Sequence, residues 1–312
     1  MRVLVTGACG YKGSVLVPRL LAAGHQVIAL DTMWFGNFLE PHPHLRLTKG
    51  DVREAGALDL TGTDAVVHLA SIANDPCGDL NAKLTWEVGA LATMRLADLA
   101  ARAGVKQFVY ASSGSVYGIK SEDRVTEELT LEPVSDYNKS KMVAERVLLS
   151  YGDRMAVQIV RPATVCGYSP RMRFDVSVNM MTIQALTRGE MTVFGGDQVR
   201  PNIHIEDIAD VYLHFLAHPE LTGVYNAGFE NLSIRQIAEL VARHVPARIT
   251  VTPSMDPRSY RLNSDKLLAT GFAPRRGVED AIRELVRLHA AGVLSDEDRF
   301  HNLRWMQRTA VA

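Results

Sequence analysis

The sequence predicts an α/β fold of the Rossmann type: a doubly wound parallel sheet with a smaller, discontinuous mixed α/β lobe. Three observations predict it. Short β-branched runs alternate with longer amphipathic segments over the first two hundred residues, which is typical of a parallel sheet with helices on both faces. The strand-like runs are continuously apolar, as in strands that are buried on both faces. A chain of 312 residues is long enough for one large domain or two unequal ones.

The predicted elements follow one another in a regular order in the first part of the chain. The predicted strands are Arg2–Thr6, Gln26–Leu30, Leu45–Lys49, Ala65–Leu69, Gln107–Ala111 and Ala156–Val160. The predicted helices between them are Val15–Ala23, Thr85–Ala103 and Ser140–Ser150. We therefore expect residues 1–165 to form the Rossmann domain.

The pattern changes after residue 160, where Pro, Gly and Arg become frequent. The predicted helices there are Val178–Arg188, Ser233–His244, with Ser233 as its N-cap, and Gly277–Ala291. The predicted strands are Met191–Phe194 and Val224–Ala227, the second of which could rejoin the main sheet. We expect residues 166–312 to form a discontinuous second lobe, with a return to the Rossmann domain near residues 200–228.

Composition excludes several classes of protein. The chain has 34 Lys and Arg against 35 Asp and Glu, a net charge of -1, without the basic excess of a nucleic-acid binder. It has no run of about 20 apolar residues, so no membrane span is expected. Cys9, Cys77 and Cys166 are too few and too scattered for a disulfide framework or a Cys-rich metal site. The N-terminal residues enter the first predicted strand directly, without the charged and then apolar pattern of a leader, so a cytoplasmic enzyme is expected. No metal is expected.

A glycine-rich loop joins the first predicted strand to the first helix. Gly7, Gly10 and Gly13 are spaced as in dinucleotide-binding loops, with Tyr11 and Lys12 between the last two. In such a loop the first glycine allows a tight turn, the second lets the backbone approach a pyrophosphate, and the third lets the helix pack closely on the strand. The helix N-terminus supplies N–H donors for the anion. The position between strand and helix makes a dinucleotide site the favoured interpretation over a simple turn.

Acidic residues follow the second and third predicted strands. Asp31 lies 18 residues past Gly13, where a carboxylate accepts both hydroxyls of an adenosine ribose and repels a 2′-phosphate. A helix cap or a solvated Asp is the alternative for Asp31. Lys12 could help to hold a phosphate, but Asp31 favours NAD over NADP. Asp51 and Val52 are placed to reach the adenine, although Asp51 is nearly as well explained as an ordinary strand-end residue.

Lys141 lies four positions after Tyr137, so on a helix the two side chains share one face, with Cβ atoms about 5–6 Å apart. A tyrosine that acts as a base near neutral pH needs its pKa lowered by roughly three units from ~10. An adjacent ammonium does this by stabilising the phenolate. Ser112 and Ser113 close the fifth predicted strand, where Ser113 could donate to the same substrate oxygen.

Together these residues resemble the extended, sugar-nucleotide-modifying branch of the short-chain dehydrogenase/reductase superfamily. The matching segments are Thr6–Gly13, Asp31, Asp51–Val52, His68–Ala70, Ser112–Gly118, Tyr137–Lys141, Arg161–Pro162 and Val199–Asp207. The resemblance implies a catalytic triad of Ser113, Tyr137 and Lys141 acting with bound NAD. It adds Leu69 and Ala70 to the cofactor residues, and Val116-Tyr117-Gly118 assigns the catalytic hydroxyl to Ser113 rather than Ser112.

The resemblance also implies a nucleotide-diphosphate sugar as substrate. Arg200 and Arg258 match the two arginines that contact the diphosphate, and Asn179 matches a residue that contacts the phosphates or the base. From the residues alone, each of these three is better explained as solvated or salt-bridged. Thr164 stands where many relatives have an Asn, and Cys166 where an aromatic residue is common, so sugar recognition differs from the pattern.

The expected reaction is oxidation of the sugar at C4, most often as a C4 epimerase with a transient 4-keto sugar. Relatives that dehydrate the sugar carry an Asp-Glu acid/base pair where this chain has Gly114 and Ser115, so dehydration is disfavoured. The remaining alternatives are a 4-dehydrogenase that releases the keto sugar, a reductase of hydrophobic alcohols or ketones, and a non-catalytic NAD sensor. The resemblance implies a homodimer as well, in which the helices Thr85–Ala103 and Ser140–Ser150 could pair with their copies. The apolar faces of these helices could equally pack inward.

Overall fold

The computed structural model describes residues 1–253 and 259–309 of the chain. Its strands are β1 (Arg2–Thr6), β2 (Gln26–Asp31), β3 (Leu45–Lys49), β4 (Ala65–His68), β5 (Gln107–Ala111), β6 (Ala156–Pro162), β7 (Thr164–Cys166), β8 (Glu190–Phe194), β9 (Val199–His204), β10 (Gly223–Ala227), β11 (Glu230–Ser233) and β12 (Arg248–Thr252).

The helices alternate with these strands over most of the chain. They are α1 (Gly13–Ala22), α2 (Asp75–Leu80), α3 (Ala82–Trp86), α4 (Ala92–Arg102), α5 (Asp136–Leu149), α6 (Ser177–Arg188), α7 (Ile205–Ala217), α8 (Ile234–His244), α9 (Asp265–Leu268), α10 (Val278–Ala290) and α11 (Asn302–Thr309). Short 3₁₀ turns lie at Val52–Ala57, Gly114–Tyr117 and Asp298–Phe300.

Seven strands form one parallel sheet in the order β10-β6-β5-β4-β1-β2-β3. Alternate residues of each central strand face opposite sides, and both sides are buried. Val3 and Val5 of β1 pack with α1 and α7, whereas Leu4 packs with α4 and α5 on the other face. The predicted Rossmann-type sheet is therefore confirmed. The strand order reverses between β1 and β4, so their carboxyl ends open a crevice at this edge.

The predicted helix Thr85–Ala103 is wrong in detail, because the segment is divided into three parts. Residues Glu87–Leu91 have wider, π-helical turns between α3 and α4. Gly89 lies against α5 at this point, and a Cβ there would be 2.4 Å from Ser140 Oγ. The irregular segment therefore lies where two helices approach closely, a feature that hydrophobic periodicity does not report.

Helix α5 begins four residues before the predicted start. The Ser135 hydroxyl accepts a hydrogen bond from the Asn138 backbone N–H at 3.2 Å and caps the helix. Tyr137 consequently lies in the first turn and Lys141 one turn later, so the predicted helical spacing of this pair is confirmed.

The second lobe contains two small sheets and three helices around their own apolar cluster. The sheets are β11-β9-β7 and β12-β8, and the helices are the predicted α6, α8 and α10. Ser233 caps α8 in a capping box with Gln236, as predicted. Strand β10 pairs parallel with β6, so the predicted return to the main sheet is confirmed. The domain boundary at residue 165 stays a prediction, and β7 crosses it.

Candidate active site

A cavity of about 510 Å³ opens at the carboxyl edge of the seven-stranded sheet. We call its two sides the floor and the roof. The floor comprises the loop 7–13, the residues that follow β2 to β5, and Tyr137 of α5. The roof comprises lining residues of the segment 162–177, Arg200 of β9, and Asn302 and Met306 of α11. This edge of an open α/β sheet is where ligands bind.

The glycine loop of the floor is shaped for close approach by a ligand. Gly7 has a φ of 69°, and a Cβ there would lie 2.7 Å from the Ala70 nitrogen. At Gly13 a Cβ would lie 2.4 Å from the backbone oxygens of Gly7 and Ala8. Helix α1 begins here, and Lys12 at its N-cap makes no side-chain cap hydrogen bond. The loop is thus a backbone cradle in front of an uncapped helix N-terminus, which fits a pyrophosphate.

Asp31 lies at the end of β2 and lines the floor. Its carboxylate accepts hydrogen bonds from the backbone N–H of Cys9 at 2.9 Å and of Met33 at 2.7 Å. Burial raises the pKa of Asp31, although these bonds and the charge of Arg171 oppose the rise. Each oxygen keeps a second lone pair, so the carboxylate can still accept ribose hydroxyls.

Asp51 is held by Arg53, whose backbone N–H donates to Oδ1 at 2.8 Å and whose guanidinium donates to Oδ2 at 3.0 and 2.8 Å. Burial favours a higher pKa for Asp51, but the bonds from Arg53 lower it overall. Asp51 therefore also serves as the cap of the turn Val52–Ala57. The sequence allowed Asp51 either to contact adenine or to serve as an ordinary strand-end residue, and these hydrogen bonds are those of a strand-end residue.

A buried hydrogen-bond chain supports the loop after β4. The Thr6 hydroxyl lies 2.6 Å from His68 Nδ1, and His68 Nε2 lies 2.9 Å from the Thr93 hydroxyl. The Thr6 hydroxyl also accepts from the Ala70 N–H at 3.4 Å. Burial lowers the pKa of His68 to about 3, so the imidazole is neutral and structural.

The predicted triad meets at the end of β5. Ser113 and Tyr137 line the cavity, whereas Lys141 is 2% exposed and lies behind Tyr137. Lys141 Nζ donates to the Ala111 carbonyl at 2.8 Å and lies 6.0 Å from the centre of the Tyr137 ring. Burial holds the pKa of Lys141 well below its usual range.

Tyr137 is a phenol in the ligand-free protein. Burial raises its pKa to about 12, and the charge of Asp75 adds to the rise. A hydrogen bond donated by Ser113 and the charge of Arg173 act in the opposite direction. The geometry for a tyrosine base is therefore present, but its activation needs further positive charge in the cavity.

Ser112 also lines the cavity, but its hydroxyl belongs to a buried polar network. Its hydroxyl donates to Glu145, whose carboxylate also pairs with Arg161 at 3.0 and 2.7 Å. Arg161 donates in turn to the Tyr117 hydroxyl at 2.7 Å. This network supports the floor from below and leaves Ser113 as the strand-end serine whose hydroxyl is not committed to it.

The fold brings the predicted cofactor residues together around the cavity. Of these residues, only Lys141 does not line it. The lining ones are Gly7, Gly10, Tyr11, Lys12, Gly13, Asp31, Asp51, Val52, Leu69, Ala70 and Tyr137.

The predicted substrate residues are placed less uniformly. Thr164 and Arg200 line the roof. Asn179 is buried outside the lining, and its amide bonds to Gly167 N at 2.9 Å, Arg173 O at 3.0 Å and the Tyr11 hydroxyl at 3.0 Å. The structure therefore gives Asn179 the task of holding the roof loop onto the glycine loop. Arg258 lies outside the described residues.

The roof adds cations to which the sequence analysis assigned no role. Arg171 is 2% exposed, stacks on Phe35 at 3.9 Å and donates to Asn302 Oδ1 at 2.6 Å. Arg173 forms a bidentate pair with Asp175 at 3.0 and 2.8 Å. Burial lowers the pKa of Lys12 to about 8, with the charge of Arg173 adding to it. Clustered cations of this kind favour an anionic ligand.

Two further residues that the sequence did not reveal are Asn138 and Asn302. Asn138 follows Tyr137 in the helix, and Asn302 belongs to the C-terminal helix α11. In the sequence, Asn138 could have been noticed only because it follows Tyr137. No sequence motif marks Asn302. Within residues 1–253 and 259–309, no group of three or more His, Cys, Asp or Glu side chains could hold a metal ion. No helix in the same residues is long and apolar enough to cross a membrane.

Known proteins resemble the chain over most of its length. The profile described as "NAD dependent epimerase/dehydratase family" matches residues 3–228. A UDP-glucose 4-epimerase of Mycolicibacterium smegmatis is 32% identical over 235 residues, which cover 68% of this chain and 72% of the relative.

Two solved structures have the same overall fold. MoeE5 in complex with UDP-glucose and NAD has a TM-score of 0.79 and 26% identity, covering 99% of this chain and 100% of its own. TunA, an NAD-dependent NDP-hexosamine 5,6-dehydratase involved in tunicamycin biosynthesis, has a TM-score of 0.83 and 26% identity over 93% of this chain and 98% of its own. The relatives thus include enzymes of two different outcomes on nucleotide sugars.

Proposed function

The chain belongs to the NAD dependent epimerase/dehydratase family, and we propose that it is an NAD-dependent C4 epimerase of a nucleotide-diphosphate hexose. The observation that carries this proposal is the cavity in which a glycine cradle, a strand-end serine and a Tyr–Lys pair face the same space. Names such as UDP-glucose 4-epimerase among the relatives support the same reaction and a UDP-sugar as its substrate.

NAD fits the residues of the floor. The backbone cradle at Gly7 and Gly13 leaves no room for side chains, and the N-terminus of α1 has no side-chain cap. Asp31 would accept the hydroxyls of the adenosine ribose and would repel a 2′-phosphate. When bound, NAD would accept the hydride from C4, return it to the opposite face of the 4-keto sugar, and supply a positive ring charge near Tyr137.

Tyr137 acts as the proton acceptor at the sugar C4 hydroxyl. Its pKa of about 12 in the ligand-free protein must fall before it can act near neutral pH. Lys141 lies behind the phenol ring and contributes charge when protonated, and Arg173 contributes from the roof. Ser113 donates to the C4 oxygen and steadies the developing carbonyl.

Epimerisation then requires that the 4-keto sugar rotate within the cavity so that its opposite face is presented. Tyr137 returns its proton to the C4 oxygen after the sugar has presented its other face. Arg200 and Thr164 line the roof and would hold the diphosphate and the sugar during this rotation. Arg258 is proposed as a second diphosphate contact and Asn179 as an indirect one through the roof loop.

Dehydration is the alternative reaction, because the similar structure TunA is a dehydratase. Expulsion of water from the sugar needs an acid and a base beside the catalytic hydroxyl. Gly114 has no side chain, and the Ser115 hydroxyl donates to Asn138. The floor therefore lacks the acid/base pair at these two positions, which favours epimerisation.

The test is incubation of the purified protein with UDP-, dTDP- and GDP-hexoses, with absorbance at 340 nm and the sugar identified by NMR. We expect a C4 epimer with no net NADH. Stoichiometric NADH with a 4-keto sugar would instead establish a 4-dehydrogenase. A 6-deoxy-4-keto product would establish a dehydratase, and bound NAD without any turnover would favour the non-catalytic sensor.

We also propose a homodimer through the surface of α4 and α5. Leu91, Met94 and Leu149 are apolar side chains at this surface, and each is exposed by more than a third. Light scattering should give twice the mass of the chain, and Met94→Glu should reduce it to the monomer value. A monomer in the unchanged protein would contradict the proposal.

The cytoplasm is the proposed location. Cys9, Cys77 and Cys166 are buried free thiols, as expected in a reducing compartment. Fractionation of the native cells would test this placement.

A further inference from the structure

The hydroxyl of Ser113 is connected to a chain of polar groups on the floor of the cavity. Ser113 Oγ lies 2.7 Å from Ser115 Oγ and accepts a hydrogen bond from the Ser115 backbone N–H at 3.2 Å. The Ser115 hydroxyl donates to Asn138 Oδ1. Asn138 Nδ2 donates to Asp75 Oδ1 at 3.0 Å. Asn138 is fully buried, whereas Ser113, Ser115 and Asp75 line the cavity.

Each hydrogen bond of this chain can run in one direction only. The carboxylate of Asp75 accepts, so the Asn138 amide must turn its nitrogen toward Asp75 and its oxygen toward Ser115. An amide oxygen cannot donate, so Ser115 uses its single hydroxyl proton on Asn138. In the contact between the two serines, Ser113 is therefore the donor.

We propose that Asn138 and Ser115 are positioning residues that set the direction of the Ser113 hydroxyl proton. In the ligand-free enzyme this proton is held by Ser115, and the Ser113 oxygen presents a lone pair to the cavity. The inference rests on the proposed function, in which Ser113 and Tyr137 act together at the sugar C4 oxygen.

The direction of the proton matters because Ser113 and Tyr137 line the same cavity, and a hydrogen bond donated by Ser113 lowers the pKa of Tyr137. A hydrogen bond donated by Ser113 would stabilise the phenolate, whereas a Ser113 oxygen that accepts stabilises the phenol. The chain from Ser113 to Asp75 therefore withholds this stabilisation of the phenolate, in addition to the effect of burial, until a ligand draws the Ser113 proton off Ser115. The ionisable groups that act on or face Tyr137 are Asp75 of α2, Tyr110 of β5, Lys141 of α5, Arg173 of the roof and Tyr212 of α7.

The first experiment compares the pH dependence of kcat in Ser115→Ala and Asn138→Ala. Either change frees the Ser113 proton to stabilise the phenolate, so the acid limb of kcat should move about one pH unit lower, with KM within about twofold. The double variant should move no further, because Asn138 acts only through Ser115. Ser115→Thr keeps the hydroxyl and should restore the original limb.

Ser140→Ala is the matched control. Its hydroxyl lies on the same helix and donates to the carbonyl of Tyr137 at 2.8 Å, outside the chain of groups described above. The proposal is overturned if Ser140→Ala moves the limb as far as Asn138→Ala, if both test variants keep the original profile, or if their shifts add in the double variant.

The second experiment does not depend on turnover. With ¹³Cζ-labelled tyrosine, the Tyr137 signal is assigned by its loss in Tyr137→Phe and is followed as the pH is raised. The unchanged protein should keep the phenol at pH about 10, because its pKa is raised to about 12. Ser115→Ala and Asn138→Ala should begin to ionise about one unit lower. A shift without turnover of any sugar would support the positioning role and reject the proposed function, whereas turnover with unshifted signals would reject the positioning role alone.

Discussion

The floor and the roof of the cavity are built in different ways. On the floor, most functional side chains follow directly after a strand or begin a helix, so their places are set by the local backbone. Gly7 follows β1, Asp31 ends β2, and Ser113 follows β5. On the roof, side-chain bonds join distant parts of the chain: Arg171 bonds to Asn302, and Trp305 Nε1 donates to the Trp34 carbonyl at 2.7 Å.

This difference suggests a division of work between the two sides. The floor is rigid, since its strands are buried on both faces and joined by parallel pairing. Proton transfer needs such fixed geometry. The roof is held by side-chain bonds between separate segments, and an opening there would let ligands enter and leave. We therefore expect changes on the floor to reduce chemistry and stability, and changes on the roof to alter ligand retention.

The largest expected effect is that of Tyr137→Phe on the floor. The change removes the proton acceptor while leaving the ring in place, so kcat for C4 oxidation should fall about 10³-fold with NAD affinity unchanged. Steady-state kinetics with the sugar identified by the panel gives the measurement. Tyr151→Phe, just beyond the end of α5, is the control and should keep full activity. A loss of less than tenfold in Tyr137→Phe would mean that another group moves the proton.

The second expected effect concerns the network under the floor. Arg161→Met leaves the buried Glu145 carboxylate without its ion pair, which should lower the free energy of unfolding by about 3 kcal/mol. Urea denaturation followed by circular dichroism measures the change. Arg102→Met breaks an exposed ion pair with Asp98 and should cost less than about 1 kcal/mol. An equal loss of the free energy of unfolding in both variants would contradict a rigid support beneath Ser113.

The sequence predicted the floor far better than the roof, and the reason is physical. Gly13, Asp31 and the Tyr137–Lys141 pair could be identified because their spacing within a single loop, strand or helix is visible in the sequence. Asn302 reaches the cavity only because the chain returns from the second lobe, and such a contact has no local signal.

The same reason explains where the structure differs in detail from the predicted pattern or adds to it. Hydrophobic periodicity predicted one helix over Thr85–Ala103, but the close approach of Gly89 to Ser140 accompanies an irregular segment there. Asn179 was matched to a ligand contact, which stays a prediction, and the structure adds a bond from its amide to a partner distant in sequence, the Tyr11 hydroxyl. Tertiary contacts therefore decide what residue patterns leave open.

The third expected effect tests the cofactor end of the floor. Asp31→Asn removes the charge but keeps one oxygen acceptor, so the Kd for NAD should rise roughly tenfold, while that for NADP changes less. Isothermal titration with both nucleotides measures the two constants. Asp59→Asn, on an exposed turn, is the control. An unchanged preference for NAD in Asp31→Asn would assign ribose recognition to another residue.

The smallest expected effect is on the roof and completes the comparison. Trp305→Phe removes the indole donor to the Trp34 carbonyl, one of the bonds that close α11 over the cavity. A single hydrogen bond of this kind contributes about 1 kcal/mol at most here, so NAD should dissociate roughly threefold faster. Stopped-flow displacement of bound NAD by an excess of a fluorescent analogue measures the rate.

Trp86→Phe is the matched control for this change, because Trp86 also loses an indole donor, to Asp136 at 3.2 Å, but lies outside the cavity lining. It should leave the dissociation rate unchanged. Trp305→Phe should also leave kcat unchanged as long as chemistry limits turnover, since Tyr137 and Lys141 are held by the floor alone. A fall in kcat as large as that of the floor variants would show that α11 also positions the reacting groups, and the division between a chemical floor and a retaining roof would then be wrong.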